Sequence, residues 1–215
     1  MSLGLRHWYG VVALAVCSMM MTGCGSDDES YPPVIDNFAD ISTDSKGHFV
    51  TMTLDDGCSY AIANEPSESA YRPDTTYRAV AGYTLSEGNA TLYRLSAVAV
   101  LADSTACAKY DPLNVVSVWR AGNYINLHLV ALTHHERPHF VGYALTSHTP
   151  AGGERAHGHL RLGIHHDQNG DPASFSANAY CSIRANDVGP WEHVGDTLSI
   201  TVHTFDGDKV WSFVR

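Results

Sequence analysis

The sequence predicts an all-β fold: a small OB-like barrel followed by an antiparallel β-sandwich, after a cleaved N-terminal leader. Segments of alternating, β-branched and aromatic residues recur along the 215 residues, and short turns containing Gly, Asn and Asp separate them. No segment combines a 3.6-residue apolar period with helix caps, so very little helix is expected. The hydrophobic share of 44% and the charged share of 17% are typical of a packed globular protein.

Residues 1–23 have the organisation of a signal peptide. Arg6 is the only basic residue among them, and the apolar run from Trp8 to Met21 is too short for a stable membrane-spanning helix. The run ends in Thr22-Gly23-Cys24, which resembles a lipobox, with methionine in place of the more usual leucine before it. The resemblance implies that Cys24 becomes the lipidated first residue of the mature chain, a membrane anchor. The alternative is a plain signal peptide in which Cys24 is incidental.

The residues that follow Cys24 predict a location. Ser26-Asp27-Asp28-Glu29 resembles the acidic tag that directs some lipoproteins to the outer face of the outer membrane. Residues 24–36 contain Pro32-Pro33 and predict a flexible tether ahead of the first domain. The expected localisation is therefore the outer membrane, lipid-anchored at the cell surface, with its periplasmic face as the alternative.

Charge limits the classes of partner. Only Arg6 of the 13 basic residues, and none of the 23 acidic residues, precedes Cys24. The mature chain therefore carries 12 basic against 23 acidic residues, a formal charge of −11. Such a chain gains nothing from counterion release on nucleic acid, so no nucleic-acid partner is expected.

Three cysteines follow the proposed anchor: Cys58, Cys107 and Cys181. An odd number allows at most one disulfide and leaves one free thiol. A Cys58–Cys107 bridge is conceivable, and three separately buried cysteines are the simpler interpretation.

The first domain is predicted over residues 37–103. Phe49–Leu54 and Cys58–Ile62 flank the turn Asp55-Asp56-Gly57, which is a hairpin signal. Two longer strands, Thr76–Leu85 and Thr91–Leu101, follow a loop that is rich in proline and acidic residues. Four or five strands joined by short turns over such a length suggest a small barrel or curled sheet.

The second domain is predicted over residues 112–215, after a break in the pattern. Residues 125, 127 and 129 are apolar and alternate with polar or aromatic neighbours, as in a strand buried on one face. About seven strands at this spacing fit an antiparallel sandwich. The predicted strands are Val115–Trp119, Tyr124–Ala131, His139–Leu145, His157–Ile164, Phe175–Ile183, Thr197–Thr204 and Lys209–Val214.

Several motifs together resemble the NigD-like lipoproteins. In the first domain they are Asp44-Ser45-Lys46-Gly47, Leu54-Asp55-Asp56-Gly57 and residues 77–83. In the second they are Asp111-Pro112 with residues 115–127, His165–Pro172, and Tyr180-Cys181-Ser182-Ile183. The resemblance implies an N-terminal OB-like domain, a C-terminal β-sandwich and a lipid anchor in a Gram-negative envelope. It implies no activity and no catalytic residues.

Eleven of the 13 histidines fall between His128 and His203, which raises the question of a metal site. In a strand that starts near residue 158, His157, His159 and His165 project to one face, and zinc requires three or four such ligands to converge. His134, His135, His139 or His148 could complete the set. The alternative is a polar sheet face with solvated histidines, and Arg161 among them argues against a cation.

Residues 167–171, Asp-Gln-Asn-Gly-Asp, resemble a calcium loop in composition only. The glycine offset is wrong for an EF-hand and no bidentate Glu follows, so an ordinary strand-to-strand loop explains them better. No nucleophile elbow, phosphate-binding glycine loop or HExxH motif is present in the sequence.

These observations predict a non-enzymatic, lipid-anchored envelope protein that binds a ligand or assembles with partners, without a cofactor. The partners expected are the membrane, through lipid on Cys24, and an outer-membrane protein or extracellular ligand. One alternative is a metal-dependent protein or enzyme that uses the histidine face of the sandwich. Another is a structural subunit of an outer-membrane complex.

Overall fold

The computed structural model describes residues 32–104, 109–151, 157–189, 191 and 193–215. The signal peptide, Cys24, the acidic tag and Cys107 lie outside the described residues. Within those residues, no helix is long and apolar enough to cross a membrane.

The N-terminal part of the described chain is a closed five-stranded barrel with strand order β1-β2-β3-β5-β4. Closure comes from β1, which pairs antiparallel with both β2 and β4. Large side chains such as Phe49, Met52 and Tyr83 fill the interior, and Ala39, Ala79 and Ala81 between them let opposite walls approach. The strands are β1 Ile35–Thr43, β2 Phe49–Leu54, β3 Ser59–Ile62, β4 Thr76–Ser86 and β5 Asn89–Ala97.

The first strand overlaps the predicted tether. β1 begins at Ile35, so Ile35 and Asp36, assigned to the tether over residues 24–36, are paired with Tyr83 and Gly82. Its acidic residues conceal the strand in the sequence, because they break the alternation that marks a half-buried strand. Pairing along both edges explains why the strand forms nevertheless.

The C-terminal part is a sandwich of two four-stranded sheets, with orders β6-β11-β8-β7 and β13-β12-β10-β9. The all-β prediction is confirmed, as are the barrel and the sandwich. One 3₁₀ turn, Ala185–Asp187, is the helical element within the described ranges. The strands are β6 Ala99–Val100, β7 Asn114–Ala121, β8 Tyr124–Thr133, β9 Phe140–Thr149, β10 His159–Asp167, β11 Phe175–Arg184, β12 Thr197–Thr204 and β13 Gly207–Val214.

The predicted strand Thr91–Leu101 is divided in the structure. β5 ends at Ala97 in the barrel, and Ala99–Val100 pair with Cys181 and Ser182 of the sandwich. Val98 between them is buried. The chain therefore passes from one domain to the other without a linker, and the sandwich begins before the break from which the sequence predicts a boundary.

The sandwich is not purely antiparallel. β10 and β12 lie side by side and run parallel, from His159 opposite Thr197 to Ile164 opposite Val202. The reason is connectivity: β11 lies in the opposite sheet, so the chain returns to the first sheet in the direction of β10. The short strand β6 is also parallel to β11.

Candidate ligand-binding cleft at the edge of the sandwich

The barrel packs on the outer face of the sheet that contains β8 and β11, and a buried arginine lies at this junction. Arg78 of β4 has a side chain that is only 1% exposed. Its guanidinium donates to both carboxylate oxygens of Asp55, at 2.6 and 2.8 Å. It also reaches Asn126 of β8, with Nη2 3.1 Å from Oδ1, and Ser182 of β11, with Nε 3.4 Å from Oγ. One side chain thus connects a barrel hairpin to two sandwich strands.

Aromatic rings and a glycine complete the junction. The guanidinium carbon of Arg78 lies 3.8 Å from the ring centroid of Tyr124 and 5.3 Å from that of Phe38. Gly122 in the β7–β8 turn, at φ +53°, lies against the Asp55 backbone, where an added Cβ would be 2.1 Å from the carbonyl oxygen. Only glycine allows so close an approach.

A large cleft lies beside this junction, at the edge of the sandwich where the barrel meets it. It has a volume of about 680 Å³, within the range of small-molecule sites. Most of its lining is apolar and comes from both sheets and from Val80 and Ala97 of the barrel. The ionisable side chains in the lining are those of His139, His166, Tyr180 and Cys181. A groove of about 430 Å³ lies along the junction itself, and its lining includes Phe38, Trp119, the partly buried Asp55 and the exposed Asp56.

The two histidines of the cleft form one hydrogen-bonded chain. His166 Nδ1 donates to the carbonyl oxygen of Asp111 at 3.0 Å, and His166 Nε2 lies 3.0 Å from His139 Nδ1. His139 Nε2 lies 3.3 Å from Oδ2 of Asp171, which is fully buried. Because both ends of the chain are acceptors, two neutral rings supply protons for only two of the three contacts.

Asp171 also determines the shape of the loop that carries His139. Its carboxylate accepts the Thr133 hydroxyl at 2.6 Å and four consecutive backbone N–H groups, those of residues 134–137, at 2.7–3.2 Å. His135 adopts φ +60° within this turn. The arrangement is an anion-binding nest whose anion is a side chain of the protein.

The environment shifts the pKa values of both ends of this chain. Burial opposes ionisation of Asp171, but the bonds from Thr133 and from the backbone of His134, Glu136 and Arg137 outweigh it and hold the pKa far below its ordinary value of 3.8. For His166, burial is the largest cause and lowers the pKa below 6.5, and His139 adds to that effect. The hydrogen bond to the Asp111 carbonyl opposes the shift only in part.

The structure separates the predicted metal-ligand candidates His157, His159 and His165. His159 Nε2 lies 2.8 Å from the Ser199 hydroxyl, and the ring of His157 lies against Gly195. His165 is only 3% exposed, and Tyr110 covers it with its hydroxyl 3.3 Å from Nε2. The face is therefore not simply a solvated polar surface, because each histidine has a different neighbour.

The additional histidines do not complete a metal site either. His134 Nδ1 lies 2.9 Å from the Ser174 hydroxyl, and His135 contacts the ring of Phe175 with 5.1 Å between ring centroids. His148 is exposed on β9. Among the residues that the structure describes, no group of three or more His, Cys, Asp or Glu side chains could hold a metal ion.

The calcium-like loop has a structural role. Asp171 is fully occupied by protein donors, and Asp167 forms an ion pair with Lys109 at 2.9 Å. Gln168 donates from its amide to the Asp171 carbonyl, and its backbone N–H donates to Asp111. The two carboxylates thus serve different partners, as in an ordinary connecting loop.

Cys58 and Cys181 are both free thiols, Cys58 exposed and Cys181 buried. Burial raises the pKa of Cys181 to about 11, so this thiol is inert as a nucleophile.

Sequence reasoning missed the residues at the centre of both clusters. Arg78 is a lone cation in the apolar alternation of β4, and such a residue signals a buried partner on another element. The sequence indicates His139 only as a possible additional metal ligand and gives His166 no site role. No local pattern indicates that they meet, since they lie 27 residues apart, His139 in the loop before β9 and His166 on β10.

The fold and the junction define a two-domain, all-β protein in which a closed five-stranded barrel packs on one sheet of a β-sandwich. The NigD-like C-terminal beta sandwich domain matches residues 97–214, more than half of the chain. The chain therefore belongs to the NigD-like family, which confirms the resemblance seen in its motifs. The matched range begins at the end of β5, where the structure also passes into the sandwich.

Solved structures share the fold across both domains. A NigD-like immunity protein from Bacteroides caccae aligns over 86% of this chain and 98% of its own, with 22% identity and a TM-score of 0.63. A candidate toxin-related protein from Parabacteroides distasonis aligns over 85% and 93%, with 16% identity and a TM-score of 0.65. A candidate lipoprotein from Bacteroides fragilis aligns over 85% and 98%, with 12% identity and a TM-score of 0.61. A comparison with curated proteins found no match.

Proposed function

We propose that this protein is a lipid-anchored envelope protein that binds a largely apolar ligand in the cleft at the sandwich edge, without catalysing a reaction. The observation that carries the proposal is the cleft itself, with about 680 Å³ between apolar walls. Both nitrogens of His139 and of His166 have protein partners, so the histidines shape the wall instead of acting as free acids or bases.

The membrane anchor is supported by the leader and by one relative. Thr22-Gly23-Cys24 closes an apolar segment of signal-peptide length. A structure with the same two-domain fold is described as a candidate lipoprotein. Acylation of Cys24 would attach the tether to the outer membrane, with the cell surface as the expected face because of the acidic tag.

Replacement of the cysteine tests the anchor. In Cys24→Ala cells, the protein should no longer incorporate radiolabelled palmitate and should leave the membrane fraction. The matched control is Cys58→Ala, which removes an exposed thiol of the folded domain and should leave both properties unchanged. If the Cys24→Ala protein stays in washed membranes as a folded chain, lipid at this residue is not the anchor. Surface protease digestion of intact cells then distinguishes the two faces of the outer membrane.

An uncharged apolar fluorophore, N-phenyl-1-naphthylamine, tests the cleft. Its fluorescence should rise and saturate at about one probe per protein, since the cleft has a volume suited to one small apolar molecule. Ala179→Trp places an indole into the cleft and should abolish saturable binding. Val116→Trp, at an exposed position on β7, is the control. If Ala179→Trp and Val116→Trp bind the probe equally well, the probe does not bind in the cleft and the proposed ligand site is wrong.

A further inference from the structure

A second, chemically different depression lies on the opposite face of β10 from the cleft. It occupies about 440 Å³ on the outer surface of the sheet β13-β12-β10-β9. Leu160, Leu162 and Ile164 of β10 point into the sandwich core, so Gly163 faces outward. The residues that line the depression, called here the outer groove, are Tyr110, Thr146, Gly163, Thr201, His203 and Asp208.

The floor of the outer groove depends on the absence of a side chain at Gly163. A Cβ at this position would lie 3.2 Å from the Thr146 methyl group and 3.5 Å from the Tyr110 ring. Gly163 has no positive φ that would require glycine for backbone reasons. The absence of a side chain at Gly163 therefore keeps the space above β10 open.

A held aromatic ring forms one wall. Tyr110 is 45% exposed, although it lies against a sheet that buries most of its apolar residues. Its hydroxyl is 3.3 Å from His165 Nε2, and the ring centroids of Tyr110 and His165 are 4.9 Å apart. The backbone of Asp111 beside it donates to the His166 carbonyl. The ring is thus fixed in position while part of it remains open to solvent.

Polar groups in a cross-strand pair form the opposite wall. His203 Nδ1 on β12 lies 2.8 Å from Asp208 Oδ1 on β13, and the two side chains are 46% and 63% exposed. Asp208 retains acceptor capacity beyond this one bond, because an ionised carboxylate has about four lone-pair sites. The Thr201 hydroxyl lies on the floor between this pair and Tyr110.

This chemistry excludes several classes of ligand. The central strands β10 and β12 below the floor are paired on both sides, so a peptide cannot add to them as a new strand. The carboxylate of Asp208 and the formal charge of −10 disfavour phosphate and other anions. Threonine hydroxyls and a hydrogen-bonded His203–Asp208 pair offer little to a wholly apolar ligand.

We propose that the outer groove binds a neutral carbohydrate. The apolar C–H face of a pyranose would pack on the exposed part of Tyr110. Its vicinal hydroxyls would donate to Asp208 and exchange hydrogen bonds with His203 and Thr201. The open shape suits one or two sugar units of a longer chain, which enters and leaves from the side. The site is independent of the cleft on the other side of the sheet.

Titration of the purified full chain with four neutral disaccharides, chitobiose, mannobiose, maltose and lactose, tests the proposal by saturation-transfer NMR and calorimetry. At least one should bind, with the strongest transfer to its C–H protons. Tyr110→Ala and Asp208→Ala should each weaken the affinity about tenfold or more. Tyr110→Phe keeps the ring and should retain binding. Gly163→Ala should weaken it by filling the floor.

Two controls keep the test decisive. Tyr93→Ala removes a tyrosine that is 61% exposed on the barrel and should bind as the parent does. Asp208→Ala changes an exposed side chain at a hairpin, so a loss of affinity with an unchanged circular dichroism spectrum cannot be attributed to unfolding. Absence of binding by all four sugars overturns the proposal. An affinity that is unchanged in both Tyr110→Ala and Asp208→Ala also overturns it.

Discussion

Two buried charged clusters hold this molecule together, and they differ in kind. At the junction of barrel and sandwich, the Arg78 guanidinium forms a bidentate pair with Asp55. At the cleft, the buried Asp171 carboxylate lies at the end of a chain through His139 and His166. The first cluster joins two domains, whereas the second fixes one loop at the wall of a cleft.

The two clusters use different charged groups because they have different structural roles. A junction between domains must persist, and a bidentate guanidinium–carboxylate pair between aromatic rings provides a permanent link. The loop at the cleft is held instead by one carboxylate that accepts a hydroxyl and four consecutive backbone N–H groups. The predictions below separate these two roles, from the largest expected effect to the smallest.

Arg78→Met should cause the largest loss of stability. It removes the cation while leaving Asp55 and Asp40 at the junction, and breaking a buried pair in this way costs about 3–5 kcal/mol. Urea denaturation measures the free energy of unfolding. The matched control is Arg94→Met, whose ion pair with Asp36 is exposed and worth less than about 1 kcal/mol. Similar losses in the two variants would mean that the buried charge does not hold the domains together.

Asp171→Asn should loosen residues 133–139 and leave the junction intact. An amide cannot replace both carboxylate oxygens as acceptors for the Thr133 hydroxyl and the N–H groups of residues 134–137. Amide hydrogen exchange at residues 134–137 should accelerate about tenfold or more. Asp167→Asn, in the same loop but partly exposed beside Lys109, is the control and should change these rates little. Unchanged exchange in Asp171→Asn would contradict the nest.

The stability of the protein should depend on pH through His166. Its pKa is below 6.5 in the folded state, so below about pH 6.5 the unfolded chain binds more protons than the folded one. Stability should therefore fall as the pH decreases from 7 to 5. The groups that face His166 are His139, Asp111 and Asp167. Unfolding curves of His166→Gln at several pH values should show a flatter profile, while Arg94→Met should retain the slope of the parent. A profile unchanged by His166→Gln would assign the dependence to other histidines.

Ser182→Ala should have the smallest effect. The Ser182 hydroxyl donates to Asn126 at 2.7 Å and accepts a longer bond from Arg78. Its loss should lower the free energy of unfolding by about 1 kcal/mol. Ser176→Ala on the same strand, at an exposed position, should change it by less than about 0.5 kcal/mol. If Ser182→Ala lowered the free energy of unfolding as much as Arg78→Met does, Ser182 would stabilise the cluster by more than one hydrogen bond can explain.

The elements with strong local signals were predictable from the sequence. Gly57 and Gly207 mark turns that the structure places at positive φ, and the apolar alternation of β8 gives its inward face correctly. The opposite face of β8 was expected to be polar and half exposed. Tyr124 and Asn126 are buried there, because the barrel covers them. Which face a second domain will cover is a property of tertiary packing, and local alternation does not encode it.

The same reason explains what was missed at the sites. Spacing in the sequence relates His157, His159 and His165, yet His157 lies before β10 and each of the three contacts a different neighbour. His139 and His166 have no spacing relationship, and antiparallel pairing of β9 with β10 brings them together. β1 was obscured by its acidic residues, although one of them, Asp40, accepts a hydrogen bond from Tyr124 at the junction.

The parallel pairing of β10 with β12 has a consequence for the order in which the two domains can fold. The barrel is complete by Ala97, whereas one edge of β10 stays unpaired over residues 159–164 until Thr197–Thr204 is available. Nearly the whole chain must therefore be synthesised before the sandwich can close. During that interval an apolar strand edge is exposed to other chains. A C-terminal deletion of only β12 and β13 should consequently produce aggregation or proteolysis, in place of a smaller folded domain.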